Sequence, residues 1–254
     1  MDIALIQTEL QWEDIHGNLS CFETLLTPLS RQFDLIVLPE MFSTGFTMAP
    51  EQFSREELNS IPLWMKTMAR TTGSALAGSS VAVNENGYYN RFYFTTPEGA
   101  IAHYDKRHLF RMGEEQDHYL PGEERKVFSY NEWRICPMVC YDLRFPVWSR
   151  NQEDYDVLIF VANWPAVRRD AWDALLKARA IENQSYVVGV NRTGSDPRVN
   201  YNGGSVVYSP KGEVISQPSA SYSYLITARI DRASLQSFRE KFPAWMDRDG
   251  FAFS

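Results

Sequence analysis

The sequence predicts a single α/β domain built on mixed sheets. Short apolar segments rich in Val, Ile and aromatic residues alternate with segments of helical periodicity, as in folds that cross from strand to strand through a helix. The chain has 254 residues, of which 44% are hydrophobic, so it is long enough to bury a core of its own. Gly, Pro and Ser never accumulate over a long stretch, so no linker between two domains is indicated.

Nine segments have the composition of strands and three have that of helices. The predicted strands are residues 3–7, 35–38, 75–83, 91–95, 133–140, 157–162, 186–191, 205–208 and 224–230. The predicted helices are residues 14–31, 55–71 and 170–183.

The order of these segments indicates how the strands pair. Strands and helices alternate near the N-terminus, which favours parallel strands joined by crossover helices. Residues 84–87 and 209–212 have the composition of hairpin turns, which favours antiparallel neighbours elsewhere in the sheet. The segments 35–38 and 157–162 are apolar without alternation, as expected for strands covered on both faces. We therefore expect functional residues just beyond the carboxyl ends of such strands.

The composition excludes several classes of protein. The 25 Lys and Arg residues are outnumbered by 32 Asp and Glu residues, and the resulting net charge of −7 argues against binding to nucleic acid or anionic membranes. Residues 1–10 lack the basic region of a signal peptide, and no apolar run approaches the roughly 20 residues of a membrane-spanning helix. We expect a soluble cytoplasmic protein.

The three cysteines are too few, and odd in number, for a disulfide framework, which favours a reducing compartment. Cys136 and Cys140 lie four residues apart in one predicted strand, so about 13 Å separates them, against the roughly 7 Å that a disulfide spans. We expect Cys21 and Cys136 to be packing residues. Cys140 ends the strand before a polar turn, which makes it the candidate nucleophile; the alternative is a cysteine that only packs.

Other residues able to carry chemistry also follow predicted strands. Glu40 and Trp164 come soon after residues 35–38 and 157–162, Arg144 follows Cys140, and Lys106 closes an alternating segment. A thiol, a carboxylate and a cation are the components of nucleophilic acyl transfer. The alternatives are a surface carboxylate for Glu40 and a solvated basic run for Lys106.

The motifs around these residues, taken in order, resemble those of the nitrilase, or carbon–nitrogen hydrolase, superfamily. The motifs are LPE at 38–40, YDKRHLF at 104–110, VCYDLRFP at 139–146, ANWP at 162–165, ARAIEN at 178–183 and GGS at 203–205. They cover nearly the whole chain. The segments HLFRM at 108–112 and LRFPVWSR at 143–150 resemble the omega-amidase branch in particular.

The resemblance implies a four-layer α-β-β-α sandwich in which residues 1–254 form one carbon–nitrogen hydrolase domain. It also implies a homodimer. The last segment, residues 242–254, contains four aromatic residues where chain ends are usually polar. We expect this tail to dock on its own domain or on a partner subunit.

The resemblance also implies a role for each candidate catalytic residue. Cys140 is the nucleophile, and Glu40 is the general base that takes the thiol proton and later activates water. Lys106 and the backbone N–H of Tyr141 donate to the tetrahedral oxyanion. A second glutamate that orients Lys106 is implied six residues before a turn proline. Counting back from Pro121 gives Glu115, with Glu114 as the alternative.

For substrate binding, the omega-amidase resemblance implies that Arg144 receives a substrate carboxylate bidentately. The alternative is an internal pair between Arg144 and Asp142. Phe42, Phe110 and Trp164 either wall the acyl pocket or belong to the core.

The implied reaction is hydrolysis of the terminal amide of 2-oxoglutaramate or 2-oxosuccinamate through a cysteine thioester. No cofactor or metal is expected, because the sequence lacks paired metal-ligand spacings and glycine-rich nucleotide motifs. One alternative is a related hydrolase that acts on nitriles or N-carbamoyl amino acids. Others are a Cys–His hydrolase that uses His108 or His118, and a non-catalytic protein that kept the fold.

Overall fold

The computed structural model describes residues 1–152 and 154–252. The strands are β1 (Asp2–Ile6), β2 (Leu35–Val37), β3 (Ala75–Val83), β4 (Tyr88–Thr95), β5 (Ile101–Asp105), β6 (Phe128–Tyr130), β7 (Trp133–Val139), β8 (Val157–Ala162), β9 (Tyr186–Asn191), β10 (Thr193–Ser195), β11 (Asn200–Asn202), β12 (Val206–Tyr208), β13 (Gln217–Pro218) and β14 (Leu225–Arg229). The helices are α1 (Ile15–Leu26), α2 (Arg55–Thr72), α3 (Glu115–His118), α4 (Pro146–Ser149), α5 (Arg169–Asn183) and α6 (Arg232–Lys241).

Two mixed sheets form the centre of the molecule. The larger sheet has the strand order β13-β14-β1-β2-β3-β4-β5, and the smaller has the order β12-β9-β8-β7-β6. Strands β1 to β3 are parallel, as are β7 to β9, whereas the outer strands of both sheets pair antiparallel. The sheets are therefore mixed, as the sequence predicts.

Successive side chains of a strand point to opposite faces of the sheet, and the cores they enter show how the layers stack. In β1, Ala4 and Ile6 belong to a core with residues of α1 and α2, whereas Ile3 and Leu5 belong to a second core with the smaller sheet. That second core also includes Trp172 of α5, on the other side of the smaller sheet. The order is helices, sheet, sheet, helix, so the predicted four-layer α-β-β-α fold is confirmed.

The predicted elements are all present, with differences at their ends. The first helix ends at Leu26 instead of residue 31, because Pro28 cannot continue it and residues 27–29 form a 3-10 turn. Helix α6 is not predicted, since its sequence is polar and only Leu235 is buried. The short strands β6, β10, β11 and β13 also escape prediction, because two or three residues carry little periodicity.

The tail begins against its own domain. The side chain of Gln184 donates to the carbonyl of Phe242 at 2.7 Å and accepts from the backbone N–H of Trp245 at 3.0 Å. The Phe242 and Met246 side chains are exposed. Phe253, which belongs to the predicted docking segment, lies outside the described residues, and docking on a partner subunit stays a prediction. No helix in residues 1–152 and 154–252 has the length and apolar character to cross a bilayer.

Candidate active site

Cys140 lies at a strained turn between β7 and a short 3-10 helix, Cys140–Arg144. Its φ of 45° is unfavourable for a residue with a Cβ atom, so the surrounding structure must hold it. The Asp142 carboxylate does so, because it accepts hydrogen bonds from the Val139 N–H at 3.0 Å and the Tyr104 hydroxyl at 2.8 Å. Asp142 thereby fixes the turn that carries the Cys140 thiol.

Glu40 follows β2 and is completely buried. Its Oε1 accepts hydrogen bonds from Asn90 Nδ2 at 2.8 Å and Lys106 Nζ at 3.0 Å, and its Oε2 accepts one from Asn163 N at 2.7 Å. All three partners are donors, and both carboxylate oxygens act as acceptors. Asn163 follows β8 of the smaller sheet, so Glu40 is held by residues from both sheets.

Lys106 follows β5, and its ammonium group is buried between two carboxylates. Its Nζ lies 3.0 Å from Glu40 Oε1 and 2.8 Å from Glu115 Oε2, with no exposed area on any of the three side chains. Burial alone would lower the pKa of Lys106, but the charges of Glu115 and Glu40 outweigh it and raise the pKa above its usual value. Lys106 is therefore a fixed cation at neutral pH.

Of the two candidate glutamates, it is Glu115 that contacts Lys106. Glu115 is the first residue of α3, and its carboxylate also accepts from the backbone N–H of Phe110 at 2.6 Å. Burial and the nearby charge of Glu40 raise the pKa of Glu115, against the opposing effect of Lys106. Glu114 is exposed and occupies a left-handed turn position, with φ of 62°.

The Cys140 thiol requires a base beside it. Burial, followed by the negative charge of Glu40, raises the pKa of Cys140 well above its usual value, and the opposing charge of Lys106 does not reverse this. The thiol is therefore protonated at neutral pH, where a protonated thiol is a poor nucleophile. Glu40 is the carboxylate whose charge acts most strongly on the thiol, so it is the candidate to take the proton.

The predicted histidine alternatives lie elsewhere. His108 Nδ1 is 2.8 Å from Asp142 Oδ1, and its ring stacks on Phe145 with centroids 3.8 Å apart. His118 is exposed at the end of α3. Neither residue lines the cavity onto which Cys140 opens.

That cavity has a volume of about 240 Å³, which suits a small molecule of amino-acid size. Phe110 and Trp164 line it, as predicted, together with residues that the sequence did not single out. The full lining is Trp12, Phe46, Met48, Phe110, Met112, Gly113, Cys140, Tyr141, Arg144, Asn163, Trp164, Pro165, Arg168, Asp196, Arg198, Val199 and Tyr201.

Phe42 is not part of the cavity, so its prediction as a pocket residue is wrong. Its ring lies between the larger sheet and the outer helices, 5.6 Å from the ring of Phe22 and 5.7 Å from that of Trp64. The chain reverses at Met41, which has φ of 43°. Glu40 and Phe42 consequently project to different sides of the larger sheet.

Three arginines give the cavity wall a positive charge. Arg144 is exposed, and its guanidinium lies 5.0 Å from the centroid of the Trp164 ring. It does not pair with Asp142, whose carboxylate is occupied by the partners of the Cys140 turn and by His108. Arg168 lies 5.4 Å from the centroid of the Phe110 ring, and Arg198 is exposed at the rim.

None of the three guanidinium groups forms an ion pair with a residue in the described part of the chain. Asp196 is the carboxylate in the lining, and it is already occupied. It accepts from the Tyr201 hydroxyl at 2.5 Å and from the backbone N–H groups of Arg198 and Val199 at 2.7 and 2.8 Å. The guanidinium groups of this wall are therefore able to bind an anion.

Tyr141 follows Cys140, and its backbone N–H is in the first turn of the 3-10 helix, where N–H groups have no partner within the helix. Its ring meets that of Phe110 edge to face, with centroids 5.1 Å apart. The residues missed from the sequence are Asn90, Asn163, Arg168 and Arg198. Asn90 carried a signal as an amide beside a strand-like run, because Asn is rare in strands. Asn163 carried one as a member of the ANWP motif after the strand 157–162.

Comparisons with known proteins agree with this geometry. A model of the carbon–nitrogen hydrolase family matches residues 2–240. The chain is 48% identical to omega-amidase YafV of Yersinia enterocolitica, over 99% of this chain and 98% of that protein. It is 33% identical to a 2-oxoglutaramate amidase of Bacillus subtilis, over 96% of each.

Among solved structures, one match is a carbon–nitrogen hydrolase superfamily protein of Xanthomonas campestris, with an arsenic adduct in its active site. The identity is 40% and the TM-score 0.93, over 100% of this chain and 99% of that one.

Proposed function

Because the chain belongs to the carbon–nitrogen hydrolase family, we propose that it is an omega-amidase that hydrolyses the terminal amide of 2-oxoglutaramate or 2-oxosuccinamate. The products are the 2-oxo dicarboxylate and ammonia. The observation that carries the proposal is the position of Cys140. Its thiol opens onto a small cavity with cationic walls, while Glu40, Lys106 and Glu115 are buried beneath.

In the first half of the reaction, Cys140 Sγ bonds to the amide carbon while the thiol proton moves to Glu40. The carbonyl oxygen becomes an oxyanion. Lys106 Nζ contacts one oxygen of Glu40 and both oxygens of Glu115. If the two Glu115 oxygens share one N–H, a third N–H is left for the oxyanion, and the Tyr141 N–H is the second donor. When the oxyanion collapses, the C–N bond breaks and the nitrogen takes the proton from Glu40, leaving as ammonia.

In the second half, water attacks the thioester carbon while Glu40 takes a proton from it. The same donors hold the second oxyanion, and its collapse breaks the C–S bond. Cys140 regains its proton from Glu40, and the carboxylic acid product gives its own proton to solvent and leaves as a carboxylate. Glu115 takes no proton in this scheme; it positions Lys106, which stays charged throughout.

The cationic wall supports a substrate with a carboxylate at the end remote from the amide. Arg144 presents a planar group with parallel N–H donors, which fits a carboxylate bidentately. We assign Arg168 to the same end of the substrate, because the Trp164 indole N–H holds its backbone carbonyl at 2.8 Å while the Trp164 ring contacts Arg144. The protein as a whole is acidic, so this capture is local.

A substrate panel tests the proposal. Ammonia release is measured with 2-oxoglutaramate, 2-oxosuccinamate, glutamine, a simple nitrile and an N-carbamoyl amino acid. We expect the highest kcat/KM with one of the two 2-oxo amides. Glutamine is the matched control, since its α-ammonium group replaces the oxo group and is repelled by the arginines. Preference for the nitrile or the carbamoyl substrate assigns the protein to another activity of the family and contradicts the proposal.

The proposal includes a cytoplasmic homodimer. The three cysteines are free, which suits a reducing compartment. The exposed side chains of Phe242 and Met246 in the tail are candidates for contact with a partner subunit. Light scattering is expected to give twice the mass of the chain, and a shorter chain ending at Lys241 is expected to dimerise less. A monomer at micromolar concentration contradicts this assignment.

A further inference from the structure

Asn90 connects the two buried carboxylates of the site. It lies in β4, is completely buried and does not line the cavity. Its Nδ2 donates to Glu40 Oε1 at 2.8 Å and to Glu115 Oε1 at 3.2 Å. A side-chain amide has two N–H donors, so it can give one to each carboxylate at the same time.

The orientation of this amide is set by a chain of donors. The backbone N–H of Met41 can only donate, and it does so to Ser79 Oγ at 3.0 Å. The Ser79 hydroxyl proton is then available for Asn90 Oδ1, which lies 2.9 Å away. Because the oxygen of Asn90 is taken by Ser79, its NH₂ group must face Glu40 and Glu115. This series of hydrogen bonds begins at Met41, the residue next to Glu40. It therefore connects the Asn90 amide to the turn that carries Glu40.

This cluster has more negative than positive charge. Two carboxylates share the single cation Lys106, without solvent to screen their repulsion. Other titratable groups that act on the two carboxylates are the thiol of Cys140 and the phenols of Tyr119 and Tyr201, none of which is a cation. A neutral residue that donates to both carboxylates stabilises the charged form of each without competing for Lys106.

We propose that Asn90 is a positioning residue for amide hydrolysis, which holds Glu40 and Glu115 around Lys106, with Ser79 fixing its orientation. This inference rests on the proposed role of Glu40 as the base. It predicts that Asn90 affects the chemical step and its pH dependence, while substrate binding is unaffected because the residue lies outside the cavity.

The decisive variant is Asn90→Asp, which keeps the shape of the side chain and replaces its donors by a third carboxylate. Activity requires ionised Glu40 and is lost as the pH falls. A carboxylate that loses a donor and gains a negative neighbour takes up a proton at higher pH. We therefore expect the pH at which kcat/KM falls to half its maximum, on the acid side of the profile, to rise by about one pH unit or more. We expect kcat at pH 7 to fall about 10-fold to 100-fold with KM within a factor of about two.

The matched control is Asn86→Asp, which adds the same charge at an exposed position of the same hairpin and is expected to leave the profile unchanged. Ser79→Ala is the second variant and decides the matter if Asn90→Asp does not fold. It removes the hydroxyl that orients the amide and that accepts from the Met41 N–H. A smaller upward shift of the acid limb is expected, again with KM unchanged.

The rate of Cys140 alkylation by iodoacetamide, measured against pH, gives a readout that needs no substrate. Its acid limb is expected to move upward in both variants. If wild-type protein fails to hydrolyse the 2-oxo amides but the alkylation profile shifts, the proposed substrate is wrong and the inference about Asn90 stands. Profiles that superimpose on wild type in every folded variant, or a loss of activity that lies wholly in KM, overturn the inference.

Discussion

The buried catalytic group beneath the cavity, called the floor below, and the arginines that line the cavity, called the wall, differ in how their charges are neutralised. On the floor, Glu40, Lys106 and Glu115 are fully buried, and each has protein partners at 2.6 to 3.2 Å. On the wall, Arg144 and Arg198 are exposed, and no described residue forms an ion pair with them. The reacting groups are thus fixed before substrate arrives, whereas the binding groups still lack an anion. Variants of the two regions should consequently fail in different ways.

The largest effect is expected for the nucleophile. Cys140→Ala should lower ammonia release by about 10⁴-fold or more, because no thioester can form. Cys136→Ala is the matched control, since Cys136 is buried in β7, the strand that leads to Cys140, and packs in the core. It should retain wild-type turnover. An active Cys140→Ala enzyme contradicts the mechanism, provided that its circular dichroism spectrum matches that of the wild type.

The next prediction is that variants of the floor lower the free energy of unfolding, whereas variants of the wall do not. Lys106→Met leaves two buried carboxylates without their cation and should lower the free energy of unfolding by about 3–5 kcal/mol. Arg144→Met removes an exposed cation and should change it by less than about 0.5 kcal/mol. Urea denaturation of both variants measures the difference. Equal destabilisation would mean that the floor and the wall do not differ as described.

Phe42 and Phe110, both candidates for the pocket from the sequence, provide a second comparison. Phe42→Ala should destabilise the fold by about 3–5 kcal/mol, because a buried ring is replaced by a cavity. Its KM should be unchanged below the melting temperature. Phe110→Ala should do the opposite, with a smaller loss of stability and a higher KM, since this ring lines the cavity. A raised KM in Phe42→Ala would place that ring back in the binding pocket.

The smallest effect is expected on the wall. Arg144→Met and Arg168→Met should each lower kcat/KM for 2-oxoglutaramate about 10-fold to 100-fold, the equivalent of a hydrogen bond to a charged group, mainly through KM. Turnover of a neutral amide of similar length should change little. If both substrates are affected equally, the arginines do not bind the carboxylate.

Much of the fold was predictable, because the central strands are continuous apolar runs and the motifs stand at their ends. Cys140 and Glu40 could be located in this way. The choice between Glu114 and Glu115 required the structure, since spacing alone does not show which carboxylate turns inward. Phe42 was misplaced for a similar reason: a left-handed residue at Met41 reverses the chain, and hydrophobic pattern does not reveal that reversal.

The residues missed from the sequence depend on contacts between distant segments. Asn90 and Glu40 are 50 residues apart in the chain, and Asn163 and Glu40 are 123 apart. Arg168 and Arg198 lie in polar stretches where an arginine usually faces solvent. Their significance follows from the cavity, which is lined by segments that follow strands of both sheets and by the β10–β11 hairpin. Local sequence pattern cannot predict that assembly.

The central claim is that a fixed Cys140 site acts on amides selected by a cationic wall. The most direct test compares kcat/KM of the wild-type protein for 2-oxoglutaramate and for pentanamide, which has the same chain length but lacks the oxo and carboxylate groups. We expect a preference of about 100-fold or more for 2-oxoglutaramate, because its carboxylate can form charged hydrogen bonds that pentanamide cannot. Equal values for the two amides, with Cys140 still required for both, would contradict it.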